Sequence, residues 1–148
     1  MPQSLSKLYL HLVFSTKERK GLIPKEKKEE LHGYIAGILA NHNCHAVAIN
    51  SMPDHIHLLF NLSRTITVAK IVEQVKSSST HWLNDQGIRW ERWQAGYGVF
   101  SVSESQLGIV SNYINQQEKH HKTISFQDEL RQLFYKHRIE FDERYVWD

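Results

Sequence analysis

Apolar residues are densest near the start of the chain. Residues 7–15 read KLYLHLVFS, rich in Leu, Tyr, Val and Phe as a mostly buried strand is. The charged run 16–21 reads as a turn, and Pro24 stands where a first helical residue should be. Leu31, Tyr34, Ile35, Ile38 and Leu39 then recur at three and four, which predicts an amphipathic helix ending near Asn41. HAVAIN (45–50) and HIHLLFNL (55–62) predict two strands joined by the turn Ser51-Met52-Pro53-Asp54, a hairpin. Thr67 caps a second predicted helix with Val68, Ile71, Val72, Val75, Trp82 and Leu83 on its apolar face, and Gly87 breaks the pattern. A strand is expected over 97–102. Ser103 with Gln106 then forms a capping box for a third helix reaching about His120, and a last helix spans 125–137. The order predicts an α+β fold of ferredoxin-like (RRM-like) βαββαβ type. Its antiparallel sheet carries helices on one face, with an added C-terminal helix.

At 148 residues, with 41% hydrophobic and 23% charged, the chain is expected to form one domain over 1–148 with a real core. Eighteen basic and 16 acidic residues leave a formal charge of +2, so any surface for a polyanion must be a local patch. One cysteine, Cys44, precludes an internal disulfide and argues for a reducing compartment. No run reaches the ~20 apolar residues of a membrane span, and MPQSLSKLYL lacks a signal peptide's apolar stretch, so no membrane partner is expected. Ten histidines are unusual, since each is available for metal, proton or phosphate work.

Two of them carry the candidate chemistry. His55 and His57 flank Ile56, so alternation places both imidazoles on one face, with Cα atoms roughly 6.5 Å apart, able to converge on one divalent cation. On the Ser103 helix, Leu107, Val110 and Ile114 form the core stripe, while Tyr113 and Gln117 lie one turn apart on the adjoining flank and can address a common point. Asp54 either orients a histidine or caps the turn. His120 and His121 contact phosphate, relay a proton or end a solvated helix. His42, Cys44 and His45 resemble a zinc cluster but lack a fourth ligand.

The stretch MPDHIHLLF resembles the His-hydrophobe-His motif of the HUH single-strand endonucleases. VSNYINQQEKHH resembles the tyrosine helix of single-tyrosine transposases of the insertion-sequence-200-like type, of which REP-associated tyrosine transposases are close relatives. LHLVFSTKERK, WQAGYGVFSVS and FQDELRQLF…DERYVWD match in the expected order, so the resemblance spans the chain. It implies metal-dependent cleavage and rejoining of single-stranded DNA at hairpin-marked ends. Tyr113 would be the nucleophile forming a 5′-phosphotyrosine, and His55, His57 and Gln117 would hold Mg2+ or Mn2+. Asp54 and His120 are expected as supporting groups. Lys17, Arg19, Lys20, Arg89 and Arg92, with Lys70 and Lys76, are candidates for phosphate, and Trp90 or Trp93 for stacking on bases. The resemblance also implies a homodimer with shared active sites and a cytoplasmic, nucleoid-associated protein of a prokaryotic cell. A histidine-triad hydrolase would need a third His where Leu59 stands. A ferredoxin-like module that only binds single strands, and a domesticated repeat-processing endonuclease, stay open as alternatives.

Overall fold

A computed structural model describes residues 2–148; Met1, which begins the MPQSLSKLYL stretch, lies outside the described residues. Strands β1 (Tyr9–Ser15), β2 (His45–Met52), β3 (His55–Asn61) and β4 (Gly98–Val102) form one sheet in the order β2-β3-β1-β4, every neighbouring pair antiparallel. Helix α1 (Lys28–Asn41) connects β1 to β2, and α2 (Val68–Asp85) connects β3 to β4. Three further helices follow: α3 (Leu107–Asn115), α4 (Gln117–His120) and α5 (Phe126–Lys136). The expected ferredoxin-like βαββαβ order is therefore present, but helices cover both faces of the sheet rather than one, because α3 and α5 bring apolar side chains of their own to the second face.

The two faces of the sheet are covered differently. Leu12 and Phe14 of β1 and Ile56, Leu58 and Phe60 of β3 share parity, and they pack against Leu31, Ile35 and Leu39 of α1 and Ile71, Val72 and Val75 of α2. The opposite parity holds His11, Val13, His55, His57 and Leu59. This face is closed by Ile114 of α3 and by Phe126, Leu130 and Phe134 of α5. Gly98 pairs with Val13 beneath α5, where an added Cβ would lie 3.2 Å from Leu130 Cδ1 and 3.2 Å from Phe100 Cζ.

Local signals account for several element ends. Thr67 Oγ1 accepts the Lys70 N–H at 3.1 Å, and Ser125 Oγ accepts the Asp128 N–H at 3.1 Å, each satisfying a free donor of a first helical turn. The expected box at Ser103 does not form. Its hydroxyl lies 3.2 Å from Ser105 Oγ, and a 3-10 turn, Glu104–Gln106, precedes α3 instead. The third helix is also interrupted at Gln116 (φ −104°, ψ 23°), so Gln117 begins α4 rather than continuing α3. Pro24 precedes a 3-10 turn, Lys25–Lys27, that leads into α1.

Residues 142–148 fold back over the loop that precedes β4. Gly96 N–H donates to the Asp148 carbonyl at 2.9 Å, and Arg131 of α5 makes a fork to Glu143 at 2.8 and 3.0 Å.

Candidate active site

β3 delivers His55 and His57 to the α3–α5 side of the sheet, and both are fully buried. Each ring is held by its outer nitrogen. His55 Nδ1 lies 2.6 Å from Asp54 Oδ1, and His57 Nδ1 lies 2.8 Å from His11 Nε2 on β1. Asp54 thus orients His55, while its backbone carbonyl accepts the Thr16 N–H at 2.9 Å and closes the turn against β1.

The inner nitrogens converge on one carboxylate, Glu129 of α5. His57 Nε2 and His121 Nε2 stand 3.0 and 3.1 Å from Glu129 Oε1, and His55 Nε2 stands 3.5 Å from it. Glu129 Oε2 accepts from Gln117 Nε2 at 2.8 Å and from the Tyr113 hydroxyl in a short hydrogen bond. Phenol, amide and imidazoles of one chain therefore meet at a single buried acid. Glu129 is 1% exposed and, with four donors, fully saturated.

The electrostatics follow from that packing. Burial alone would raise the Glu129 carboxyl, but hydrogen bonds from His121, His57 and Tyr113 outweigh it and hold the acid well below the carboxylate range. Burial pushes the Tyr113 phenol far up, and the neighbouring Glu129 charge pushes it further. Burial also lowers His57 despite Glu129, and lowers His11 strongly with the His57 ring adding to the effect. His121 goes the other way, since the Glu129 hydrogen bond overcomes its burial.

The donor set suits a divalent cation. His55, His57, His121 and Glu129 offer ligand atoms that all lie within 4.8 Å of one another. His55 shows the fit most plainly: Nδ1 faces Asp54 Oδ1 and Nε2 faces Gln117 Oε1 at 3.1 Å, two acceptors, whereas a neutral imidazole can donate through only one nitrogen. A cation bound between Nε2 and Oε1 would satisfy both lone pairs. Imidazole, carboxylate and amide oxygen together form a mixed ligand set for a divalent cation.

Glu129 and His11 were not among the expected site residues, and each leaves a trace in the sequence; His121 was expected only for phosphate contact, proton relay or a solvated helix end. Glu129 falls three residues after Phe126 and one before Leu130, a carboxylate on the apolar stripe of α5. His11 shares parity with Val13 in a buried strand. His121 follows a helix end and carries no such mark. His120 packs its ring on Tyr113, with centroids 4.7 Å apart, and its Nε2 has no hydrogen-bond partner.

Among the expected DNA contacts, Trp90 is corrected: it is 8% exposed, donates Nε1 to Thr80 and packs on Trp93, itself 3% exposed, so neither ring can receive a base. Lys76 is engaged too. Its ammonium donates to the carbonyls of Gln94, Ala95 and Gly96 at 2.8, 3.2 and 2.9 Å, and burial beside Arg92 lowers it to about 8. Lys17 and Lys20 flank Glu91, Arg19 reaches the Trp147 carbonyl, and Arg92 reaches Trp93 O and Asp148. Arg89 and Lys70 are exposed.

Residues 4–117 match the family described as transposase IS200 like. The chain is 24% identical over 117 residues to the ISDra2 transposase TnpA of Deinococcus radiodurans, covering 74% of this chain and 84% of that protein. Among solved structures, a candidate transposase of Deinococcus radiodurans R1 superposes with TM-score 0.62 at 24% identity, over 79% of this chain and 98% of that one. A REP-associated tyrosine transposase bound to a REP hairpin superposes with TM-score 0.60 at 15% identity, over 84% of this chain and 76% of that one. His121 and Glu129 lie beyond the matched family region. No helix among the described residues is long and apolar enough to cross a membrane.

Proposed function

This chain belongs to the IS200-like transposase family, and from that premise we propose that it cuts and rejoins single-stranded DNA at hairpin-marked ends through a covalent bond to Tyr113. One observation carries the reading: within a single chain, the Tyr113 hydroxyl shares the Glu129 carboxylate with His57, His121 and Gln117. A phenol so placed has both a proton acceptor and a cation site beside it.

In the proposed reaction, Tyr113 Oη bonds to phosphorus as the P–O3′ bond breaks. The phenolic proton leaves along its hydrogen bond toward Glu129 and on to solvent, and the departing 3′ oxygen takes a proton from solvent. The products are a 5′-phosphotyrosine and a free 3′-hydroxyl. Because one phosphoester replaces another, a second 3′-hydroxyl can reverse the step on a different strand without ATP.

His55, His57, Gln117 and Glu129, with His121 at hand, would hold the ion, which we propose to be Mn2+ or Mg2+; it supplies Lewis-acid polarisation of a phosphate oxygen. Asp54 and His11 fix the two imidazoles from behind. His120 packs against the phenol ring and limits its rotation. Burial and the Glu129 charge push the Tyr113 phenol up, so its proton has to leave as the bond to phosphorus forms.

Thr16 begins the cationic turn one residue past Ser15, which pairs with His55. Lys17, Arg19 and Arg92 line a groove with Arg144, and with Lys20 and Arg89 they would track the DNA backbone. Phenol, amide, imidazoles and acid meet within one chain, which supports the reading that each subunit of a homodimer cleaves with its own tyrosine.

Incubation with 3′-labelled single-stranded DNA from the gene's flanks and Mn2+ should give a denaturant-resistant adduct at Tyr113. Tyr113→Phe should reduce the adduct to background while binding persists. Mixing Tyr113→Phe with His57→Ala should restore no cleavage. An adduct at another residue, or none with the wild-type protein, defeats the proposal. Rescue in the mixture would show instead that two subunits share each site.

A further inference from the structure

A cavity of about 640 Å³ opens beside Tyr113, between α3, β4 and α5, and the chemistry outlined above leaves it unused. We propose that it is a nucleobase subsite, taking the base of the nucleotide next to the phosphate that Tyr113 attacks. The inference rests on the strand-transfer reading and adds the part of the substrate that this surface would recognise.

Three features define the occupant. Tyr113 and Glu129 both line the cavity, so a molecule filling it is continuous with whatever meets the phenol. The wall carries one partly exposed ring, His137, backed by the buried Phe100 with centroids 4.5 Å apart and planes 23° from parallel. A planar, sequence-tolerant π-face is what an unpaired base stacks on. The rim is polar, with Gln106 from the turn before α3 on one side and Gln132 of α5 on the other, both exposed. A primary amide donates and accepts at once, as the Watson–Crick edge of a base does. Lys136 also lines the cavity and supplies a cation for the adjoining phosphate.

Size narrows the choice further. The volume lies within the ~300–1,000 Å³ range of small-molecule pockets, room for one nucleoside and not for a duplex. A paired strand could not enter. The base would have to be single-stranded or turned out of its stack, which accords with an enzyme of unpaired DNA.

The test uses a single-stranded oligonucleotide from the gene's flanks that the wild-type protein cleaves. Versions carry either an abasic residue or 2-aminopurine at each of the two nucleotides bordering the cut. One abasic position should lower the adduct yield about tenfold. 2-Aminopurine at that same position should be quenched several-fold on binding to Tyr113→Phe, which cannot cleave. Gln132→Trp, which fills the cavity from an exposed helix position, should abolish the quench and react equally with intact and abasic DNA. If its melting temperature shows that it folds poorly, the pair Gln106→Ala and Gln132→Ala should weaken the quench instead.

A normal adduct together with insensitivity to both abasic positions would overturn the subsite and leave the strand-transfer reading standing. Quenching that survives Gln132→Trp would also overturn it. Failure of the intact oligonucleotide to form any adduct would overturn the strand-transfer reading, and the subsite with it.

Discussion

The two faces of the sheet are built from alternate residues of the same strands, yet they do opposite things. Toward α1 and α2 the side chains are Leu12, Phe14, Ile56, Leu58 and Phe60, an apolar layer that gains stability from burial alone. Toward α3–α5 the same strands bury His11, His55 and His57, which Gln117 and Glu129 meet from the helices. Polar and ionic groups in that position cost desolvation energy, and hydrogen bonds to one another recover it only in part. One face therefore stabilises the fold, and the other uses that stability to hold reactive groups out of water.

Substitutions should separate the faces. The largest effect on folding is expected from Leu58→Ala, which opens a cavity in the apolar layer and should cost ~2–5 kcal/mol in urea denaturation. Its stabilisation by Mn2+ should persist, because no ligand is touched. Loss of the Mn2+ response in this variant would show that the faces are not separable.

Glu129→Gln should do the reverse. The wild-type protein is expected to gain about 2.7 kcal/mol at a Mn2+ concentration 100 times its Kd, read as a rise in melting temperature. The variant should gain almost nothing at the same concentration. An undiminished gain would remove Glu129 from the ligand set.

The smallest effect belongs to the apolar face, where His32 of α1 lies 2.8 Å from Ser51 Oγ. Burial, with Lys28 nearby, lowers this imidazole from 6.5 to about 4. The unfolded chain then takes up the proton first, so stability is full above pH 6.5, falls as pH drops toward 4 and is level below that. With His32 partly exposed, the loss should be on the order of 1 kcal/mol. His32→Gln should flatten that part of the pH–stability curve. An unchanged slope would assign the titration elsewhere.

Much of this was legible in the chain. Alternation in KLYLHLVFS and HIHLLFNL, the three-and-four spacing of α1 and α2, and the cap at Thr67 lie in local sequence, and these elements end within a residue or two of expectation. The break at Gln116 was not legible, because Tyr-Ile-Asn-Gln-Gln carries no Pro or Gly to end a helix. His55, His57, Tyr113 and Gln117 could be named from spacing and motif. Glu129 could not be placed with them, since it joins them only when α5 crosses the sheet. The cationic positions show the same limit: sequence displays a Lys at 76, and only the fold shows three carbonyls around it.

Gly98 carries no atom of the cluster, yet it sets how closely α5 can approach. A single methyl there would act as a shim under Leu130, the residue adjoining Glu129, forcing neighbours to yield by a few tenths of an ångström. The clearance between acid and imidazoles is thus gauged from the far strand, by a residue whose contribution is to be absent.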